Sequence, residues 1–218
     1  AGGAGALITL DATYLVSNCI EAPRLSEEER LESLGYEPAV FGWQEDCEAQ
    51  RIEEIVPSGS VASDVALSGS PGLERRLRSL DADFRELRYR LTPAETERYR
   101  RLGLLASEAL ESVSQTLRPG QSEAEVAGRL TAALWAHRID CPGIFIAADE
   151  RIRRFRHPIV TEKPIERRAM LSVNARKWGL VVSFTRFVSF GEPGEDMRRR
   201  YRASVEIDCT MMAATHPG

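Results

Sequence analysis

The stretch MLSVNARKWGLVVSFTRFVSFG, residues 170–191, contains two strand-like runs, at 170–174 and 179–190. Two further runs, at 143–147 and 157–160, precede them. Short runs of apolar and β-branched residues bounded by glycine, proline or charged residues are typical of β-strands. The sequence therefore predicts a sheet in the C-terminal half of the chain.

Two helices are predicted before this sheet. The sequence TPAE at 92–95 is a capping box with proline at the first helical position, and apolar residues at spacings of three and four follow it. Arg-Pro-Gly at 118–120 ends this helix. The sequence SEAE at 122–125 is a second capping box that opens the next helix. His137 falls on the apolar stripe of that helix, so we expect it to be packed in the core or at its boundary.

A third helix is predicted at 195–214, and His-Pro-Gly at 216–218 ends it. This ending repeats Arg-Pro-Gly at 118–120 about a hundred residues later, as in folds built from two similar halves. We interpret the chain as holding only the first half of such a fold in complete form. It has no initiating methionine and its first strand begins almost at once, so we expect a fragment that lacks both termini.

The first 90 residues predict a small α/β domain, with a boundary near Leu91. Glycine, proline and serine clusters separate its short apolar runs. The predicted elements are a hairpin at 6–16, a short acidic helix after Pro23, a strand at 38–41, a helix at 45–56 and a weak strand at 61–67.

Composition and charge exclude several classes of protein. The chain is 43% hydrophobic and 28% charged with a net charge of −4, which gives no electrostatic footprint for nucleic acid or an anionic membrane. No apolar stretch approaches the roughly 18 residues of a membrane span. The arginine runs at 151–156 and 198–200 are interpreted as solvated surface.

The four cysteines predict the cellular compartment. Cys19, Cys47, Cys141 and Cys209 form no C-x-x-C pair, so they are interpreted as reduced, mostly buried thiols. We therefore expect a cytoplasmic protein. The three tryptophans are expected to pack rather than to bind ligand; they are Trp43, Trp135 and Trp178.

Several segments together resemble the pita-bread superfamily of Xaa-Pro aminopeptidases, prolidases and creatinases. These segments are 18–25, 100–103, 117–120, 122–128, Arg156-His157-Pro158, and 179–191 with Ser183-Phe184-Thr185-Arg186. The resemblance implies an α/β (α+β) fold in two parts. Residues 1–90 would form a creatinase-like N-terminal domain, truncated at its start. Residues 91–218 would form the first half of a pita-bread domain, in which helices pack on a curved antiparallel sheet.

The resemblance also implies a metal site that this chain does not match. Family members hold two divalent ions such as manganese, cobalt or zinc with two aspartates, one histidine and two glutamates. The two aspartate positions correspond here to Ser172 and Ser183, and the nearby Asn174 is neutral too. No acid lies between Glu166 and Glu192, and the other ligands would come from the second half. We therefore predict no metal ligand and no cofactor for this chain.

His157 is the one candidate catalytic residue. The resemblance places it where family members have an active-site histidine, on a strand, and creatinase uses such a histidine as general acid/base for C–N hydrolysis without metal. The alternative is a strand histidine without function. His216 is expected to cap a helix end, and Arg186 to hold the sheet and nearby acids in place.

Three functions remain open, and the sequence does not decide whether the protein is an enzyme. The first is a metal-dependent hydrolase acting near proline, which the family implies and the two serines oppose. The second is a metal-independent, creatinase-like C–N hydrolase that uses His157. The third is a non-catalytic pseudo-peptidase that binds a peptide or small molecule. The expected partners are such a ligand and a second copy in a homodimer of the full-length protein, with no nucleic acid and no membrane.

Overall fold

The computed structural model describes residues 3–44, 47–80, 84, 86–87 and 89–216. The chain divides into two compact units, Ala1–Arg90 and Leu91–Gly218. Each unit has a hydrophobic cluster of its own. The two units are described separately below.

The first unit is built on a three-stranded sheet. Strand β1 (Ala4–Ile8) pairs antiparallel with β2 (Thr13–Asn18), which pairs parallel with β3 (Tyr36–Phe41). Helix α1 (Glu48–Ile55) follows, and a small parallel pair, β4 (Val61–Ser63) and β5 (Leu77–Ser79), flanks helix α2 (Pro71–Arg76). The buried residues of this unit are Val16, Ala39, Ala49, Ile52, Val61 and Leu73.

Two expectations for the first unit need correction. The acidic helix after Pro23 is two short turns, a π-helical turn at Arg24–Glu28 and a 3-10 turn at Leu31–Leu34. Arg30 between them has a left-handed backbone with φ of 55°, which no continuous helix allows. The strand expected at 61–67 extends only over Val61–Ser63, and Glu45 of the predicted helix at 45–56 lies outside the described residues.

The second unit begins with the two predicted helices, α3 (Pro93–Gln115) and α4 (Glu123–Trp135). Both capping boxes are confirmed. In the first, Thr92 N donates to Glu95 Oε2 at 2.7 Å and Glu95 N donates to Thr92 Oγ1 at 3.2 Å. The second, between Ser122 and Glu125, has the same two bonds at 2.7 and 3.1 Å. Each cap of this kind contributes about 1 kcal/mol to helix stability.

An antiparallel sheet of three strands packs on these helices. Its order is β6 (Asp140–Ala148), β7 (Arg168–Lys177) and β8 (Leu180–Ser189). Side chains alternate between the two faces of a strand, so one face carries the core. The buried residues of that face include Ile146, Leu171, Val173, Ala175 and Val182. The opposite face carries the polar side chains that form the candidate site.

Residues 157–160 do not form the predicted strand. The segment between β6 and β7 contains one helical turn, α5 (Arg151–Arg154), followed by irregular chain through His157. The backbone N–H of Thr161, just after these residues, donates to the buried side chain of Glu123 at 3.0 Å rather than to a neighbouring strand. Pro158 adds to this because proline has no N–H to offer a sheet.

The last helix, α6 (Glu195–Ala214), has the predicted bounds. All twenty of its residues are described, and none of them is buried. Its exposed apolar side chains are Tyr201, Val205, Ile207, Met211 and Met212. Within the described part of the chain, no helix is long and apolar enough to cross a bilayer.

Several side chains expected inside are exposed. Helix α4 ends at Trp135, before His137, and Arg138 turns the chain through a left-handed conformation with φ of 53°. Ile139 then enters the core, so His137 stays exposed. The prediction that His137 is packed is therefore wrong, because it assumed one more helical turn.

The tryptophans and cysteines also differ from their expected burial. Trp43, Trp135 and Trp178 are each about half exposed, at 55%, 56% and 46%. Cys19 and Cys209 are exposed and only partial burial is found at Cys47 and Cys141, so the cysteines are not mostly buried. Trp135 is the last residue of α4, and Trp178 lies in the turn between β7 and β8. At such positions composition alone does not predict whether a side chain points into the core or into solvent.

Candidate functional site

A polar patch lies on the face of the β6–β7–β8 sheet that points away from the helices. Ser172 and Asn174 alternate with buried residues along β7. Thr185 lies directly opposite Ser172 on β8, and Ser183 lies directly opposite Asn174. Opposed residues of antiparallel strands share a face. We call these four residues the polar patch.

The polar patch is internally hydrogen-bonded. The hydroxyl of Ser183 donates to Asn174 Oδ1 at 2.8 Å, and the hydroxyl of Thr185 donates to Ser172 Oγ at 2.8 Å. Ser172 and Ser183 are diagonal neighbours, since the register places them two positions apart on adjacent strands. All four side chains are uncharged, so the patch offers hydroxyl and amide groups but no carboxylate.

Gly143 makes room for the Asn174 amide. It lies opposite Asn174 on β6, and a Cβ atom at Gly143 would lie 2.6 Å from Asn174 Nδ2. The same Cβ would lie 3.3 Å from the ring of Phe145. The amide therefore extends over β6 only because residue 143 has no side chain, a feature that sequence reasoning missed because glycine in a strand has several explanations.

His157 lies beside this patch. Its ring centroid is 5.2 Å from that of Phe145, at an interplanar angle of 44°, and Phe145 lies opposite Ser172 in the sheet. Tilted ring pairs at this separation are favourable. The structure thus brings His157 into contact with Phe145, the residue opposite Ser172, although it does so from an irregular segment rather than from a strand.

Two carboxylates anchor the segment that carries His157. Glu123, at the first turn of α4, is fully buried and accepts four hydrogen bonds from Ala148, Arg151 and Thr161. Asp149 accepts from three consecutive backbone N–H groups, at 3.0 Å from Glu166 and 2.9 Å each from Arg167 and Arg168. The sequence does not single out either residue. An acid in a helix's first turn, such as Glu123, usually needs no explanation beyond the helix dipole, and the backbone partners of Asp149 lie 17 to 19 residues later in the chain.

The environment of Asp149 lowers the pKa of its carboxyl group. Partial burial acts to raise that pKa, but the hydrogen bonds from Glu166, Arg167 and Arg168 together outweigh it, with a smaller contribution from the charge of Lys163. Hydrogen bonds that reach the charged form favour it. Asp149 therefore serves as a structural anion that closes the segment onto β7.

Arg186 lies on the opposite face from the polar patch. Its Nη2 atom is 3.1 Å from Glu111 Oε1 on helix α3. The register places Arg186 opposite Leu171, which is fully buried in the core. Arg186 thus links β8 to α3, in keeping with the expectation that it holds the sheet and a nearby acid.

The residues present do not fit a two-ion centre. Among the described residues, no three His, Cys, Asp or Glu side chains cluster closely enough to hold a metal ion. Divalent cations such as manganese need several carboxylates because neutral oxygens do not offset their charge. On the polar patch Ser172 and Ser183 offer only neutral hydroxyl groups.

Known proteins share both the sequence pattern and the fold. The family model of metallopeptidase family M24 matches residues 97–218, more than half of the chain. Among curated protein sequences, none matches significantly. Solved structures do match, and they confirm the predicted α/β fold class, that of the pita-bread superfamily.

Three of these structures illustrate the similarity. An Xaa-Pro dipeptidase from Bacillus anthracis is 20% identical with a TM-score of 0.70. The match covers 94% of this chain and 60% of the dipeptidase chain. A prolidase from Pyrococcus furiosus is 20% identical with a TM-score of 0.69, covering 94% and 61%. Aminopeptidase P from E. coli is 16% identical with a TM-score of 0.73, covering 95% and 53%. The chain thus spans 53–61% of the length of these three structures.

Proposed function

Because the chain belongs to metallopeptidase family M24, we propose that it is a variant of that fold which binds a peptide or small molecule without metal-dependent cleavage. The observation that carries this proposal is the neutral, internally hydrogen-bonded polar patch. It includes Ser172 and Ser183, the positions at which the resemblance leads us to expect two aspartates. Two carboxylates replaced by hydroxyls remove two negative charges from the place where cations would bind.

The polar patch is suited to a neutral or zwitterionic ligand. Hydroxyl and amide groups both donate and accept hydrogen bonds, so Ser172, Asn174, Ser183 and Thr185 can exchange their mutual bonds for bonds to a peptide group. Phe145 and His157 lie beside them and offer ring surface to an apolar side chain or a proline ring. The similar structures include an Xaa-Pro dipeptidase and a prolidase, so an Xaa-Pro dipeptide is the first ligand to test.

We also propose an assignment for the two units. Residues 1–90 correspond to a creatinase-like N-terminal domain and residues 91–218 to the first half of a pita-bread domain. The division of the chain after Arg90 and the position of the family match within 97–218 support this assignment. A homodimer of the full-length protein remains part of the proposal.

A second candidate function uses His157 as a catalytic residue. Its imidazole is exposed and packs against Phe145 beside the polar patch, and an imidazole ring has one nitrogen that can accept a proton and one that can donate a proton. In a metal-independent C–N hydrolysis, His157 would take a proton from the attacking water and then give it to the departing nitrogen. The patch would hold the substrate by hydrogen bonds.

An assay with alanyl-proline separates these functions. We expect the dipeptide to shift the NMR signals of residues 172–185 without any release of proline, in the presence or absence of Mn²⁺. Binding should weaken in Ser172→Ala and stay unchanged in Ser112→Ala, a control on the exposed surface of α3. Chelator-resistant proline release that His157→Ala abolishes would favour the second candidate, and Mn²⁺-dependent release would contradict both.

A further inference from the structure

Glu123 is the single fully buried acid among the described residues. Its Oε1 atom accepts from Ala148 N at 2.8 Å and from Arg151 Nε at 2.9 Å. Its Oε2 atom accepts from Thr161 N at 3.0 Å and from Thr161 Oγ1 at 2.6 Å. A buried charge is tolerated only when it is paired and hydrogen-bonded, and this carboxylate meets both conditions.

These bonds join two points that are distant along the chain. Ala148 is the last residue of β6, and Thr161 follows the irregular segment, so residues 149–160 form a loop whose two ends meet at one carboxylate. Arg151 strengthens this closure from inside the loop, since its Nη2 atom donates to Ile159 O at 2.7 Å. His157 lies within the closed loop, two residues before Ile159.

The loop has no strand partner that could hold it instead. Residues 155–160 are irregular, and the backbone N–H of Thr161 is bonded to Glu123 rather than to a sheet. Backbone bonds reach the two ends of the loop separately, since Asp149 N donates to Arg168 O at 3.0 Å and Ala124 N donates to Thr161 O at 3.0 Å. The Asp149 carboxylate bonds to the backbone at 166–168, at the first end. The Glu123 carboxylate joins the two ends to each other.

We propose that Glu123 is a positioning residue for His157. Its carboxylate closes the loop at 149–160 so that the imidazole stays beside Phe145 at the edge of the polar patch. Glu123 itself is buried and touches no ligand. The inference rests on the proposed function, in which the patch and His157 form one binding surface.

The test measures where the His157 ring lies in the free, full chain. An aromatic ring about 5 Å away shifts the NMR signals of imidazole protons, so the His157 signals report its placement against Phe145. Phe145→Leu removes that ring and supplies the reference shift. Glu123→Gln tests the anchor. Glu125→Gln is the matched control, since it makes the same charge change in the same helical turn and glutamine still completes a capping box.

We expect the His157 signals of Glu123→Gln to move toward the Phe145→Leu values, while those of Glu125→Gln stay at the original values. Amide hydrogen exchange at Leu171 and Val173 should remain slow in all these variants. Unchanged His157 signals in Glu123→Gln would overturn the proposal. So would a shift that appears only together with fast exchange at Leu171 and Val173, because Glu123 would then act on the fold as a whole.

Thr161→Val provides a second test if Glu123→Gln does not fold. It removes one of the four bonds to Glu123 and leaves the others in place. We expect hydrogen exchange at the Thr161 amide position to accelerate about tenfold, with a partial shift of the His157 signals. No change in either would overturn the proposal. Since no ligand is added, a failure of alanyl-proline to bind would count against the proposed function and not against this inference.

Discussion

The hydroxyl of Ser183 donates a hydrogen bond to Asn174 Oδ1 at 2.8 Å, between directly opposed positions of β8 and β7. The neighbouring pair, Thr185 and Ser172, makes the corresponding bond at the same distance. Both pairs are satisfied by neutral groups, so the surface is stable without a cation.

The first prediction concerns restored carboxylates at the two serine positions. In Ser172→Asp/Ser183→Asp, two negative charges become diagonal neighbours on one sheet face, so we expect a loss of about 1 kcal/mol in the free energy of unfolding. Mn²⁺ should recover part of that loss by binding between them. Differential scanning calorimetry with and without Mn²⁺ measures both effects.

The control for these charges is Ser172→Asn/Ser183→Asn, which has side chains of similar size without charge. It should show no response to Mn²⁺. Equal stability of the two double variants without metal would show that the patch already accommodates negative charge, contrary to our account.

The second prediction concerns the space above Gly143. The Cβ of Gly143→Ala would lie 2.6 Å from Asn174 Nδ2, so the end of the Asn174 side chain has to shift. We expect this shift to break its bond to Ser183. We expect a cost of about 1 kcal/mol in urea unfolding. Gly128→Ala on α4 is the matched control, because a Cβ there meets nothing within 4 Å and alanine favours the helix.

A double-mutant cycle tests whether the stability cost of Gly143→Ala comes from its contact with the Asn174 amide. In an Asn174→Ala background, Gly143→Ala should be nearly neutral, since the atom it displaces is absent. An undiminished cost in that background would assign the effect to Phe145 or to the strand itself.

The third prediction concerns pH. The pKa of Asp149 is lower in the folded than in the unfolded chain, so this group stabilises the fold above its unfolded pKa of about 3.9. That stabilisation is lost as the pH falls through the folded value. We expect the stability difference between the natural protein and Asp149→Asn to be largest near neutral pH and to shrink below about pH 4.

Urea unfolding of both proteins between neutral and acidic pH measures this difference. Asp64→Asn, at an exposed loop position, is the control for the removal of one negative charge. If the stability difference between the natural protein and Asp149→Asn grows as the pH falls, the prediction is wrong.

The fourth prediction separates Arg186 from the binding surface. Its ion pair with Glu111 lies on the helix side of the sheet, and the two side chains are 40% and 51% exposed. Solvent screening limits such pairs to about 1 kcal/mol or less, so Arg186→Gln should lower stability slightly. Its affinity for alanyl-proline should match that of the natural protein in an NMR titration, and a large loss of affinity would place Arg186 in the site.

Sequence reasoning succeeded where the signals are local. The capping boxes at Thr92 and Ser122 and the bounds of α6 follow from short-range hydrogen bonding and apolar spacing, and all three are confirmed. The hairpin formed by β7 and β8 is likewise present where its two apolar runs predict strands.

It failed where distant residues decide the structure. Residues 157–160 carry apolar side chains typical of a strand, yet Glu123, some forty residues earlier in the chain, takes the N–H of Thr161 that a strand would use. The apolar stripe predicts a helix that continues through His137, but α4 ends at Trp135 and the chain turns at Arg138. A left-handed turn is usually marked by glycine, and here the residue is arginine. The position of the Asn174 amide above Gly143 depends on the register between β6 and β7, which a single sequence does not reveal.

The measurement that tests the central claim most directly is a calorimetric titration of Mn²⁺ into the metal-free protein. Our account predicts no saturable binding tighter than about 1 mM, because the polar patch supplies only neutral ligands. Stoichiometric binding at micromolar concentration, lost in Ser172→Ala and retained in Ser112→Ala, would contradict it and assign a metal to the patch.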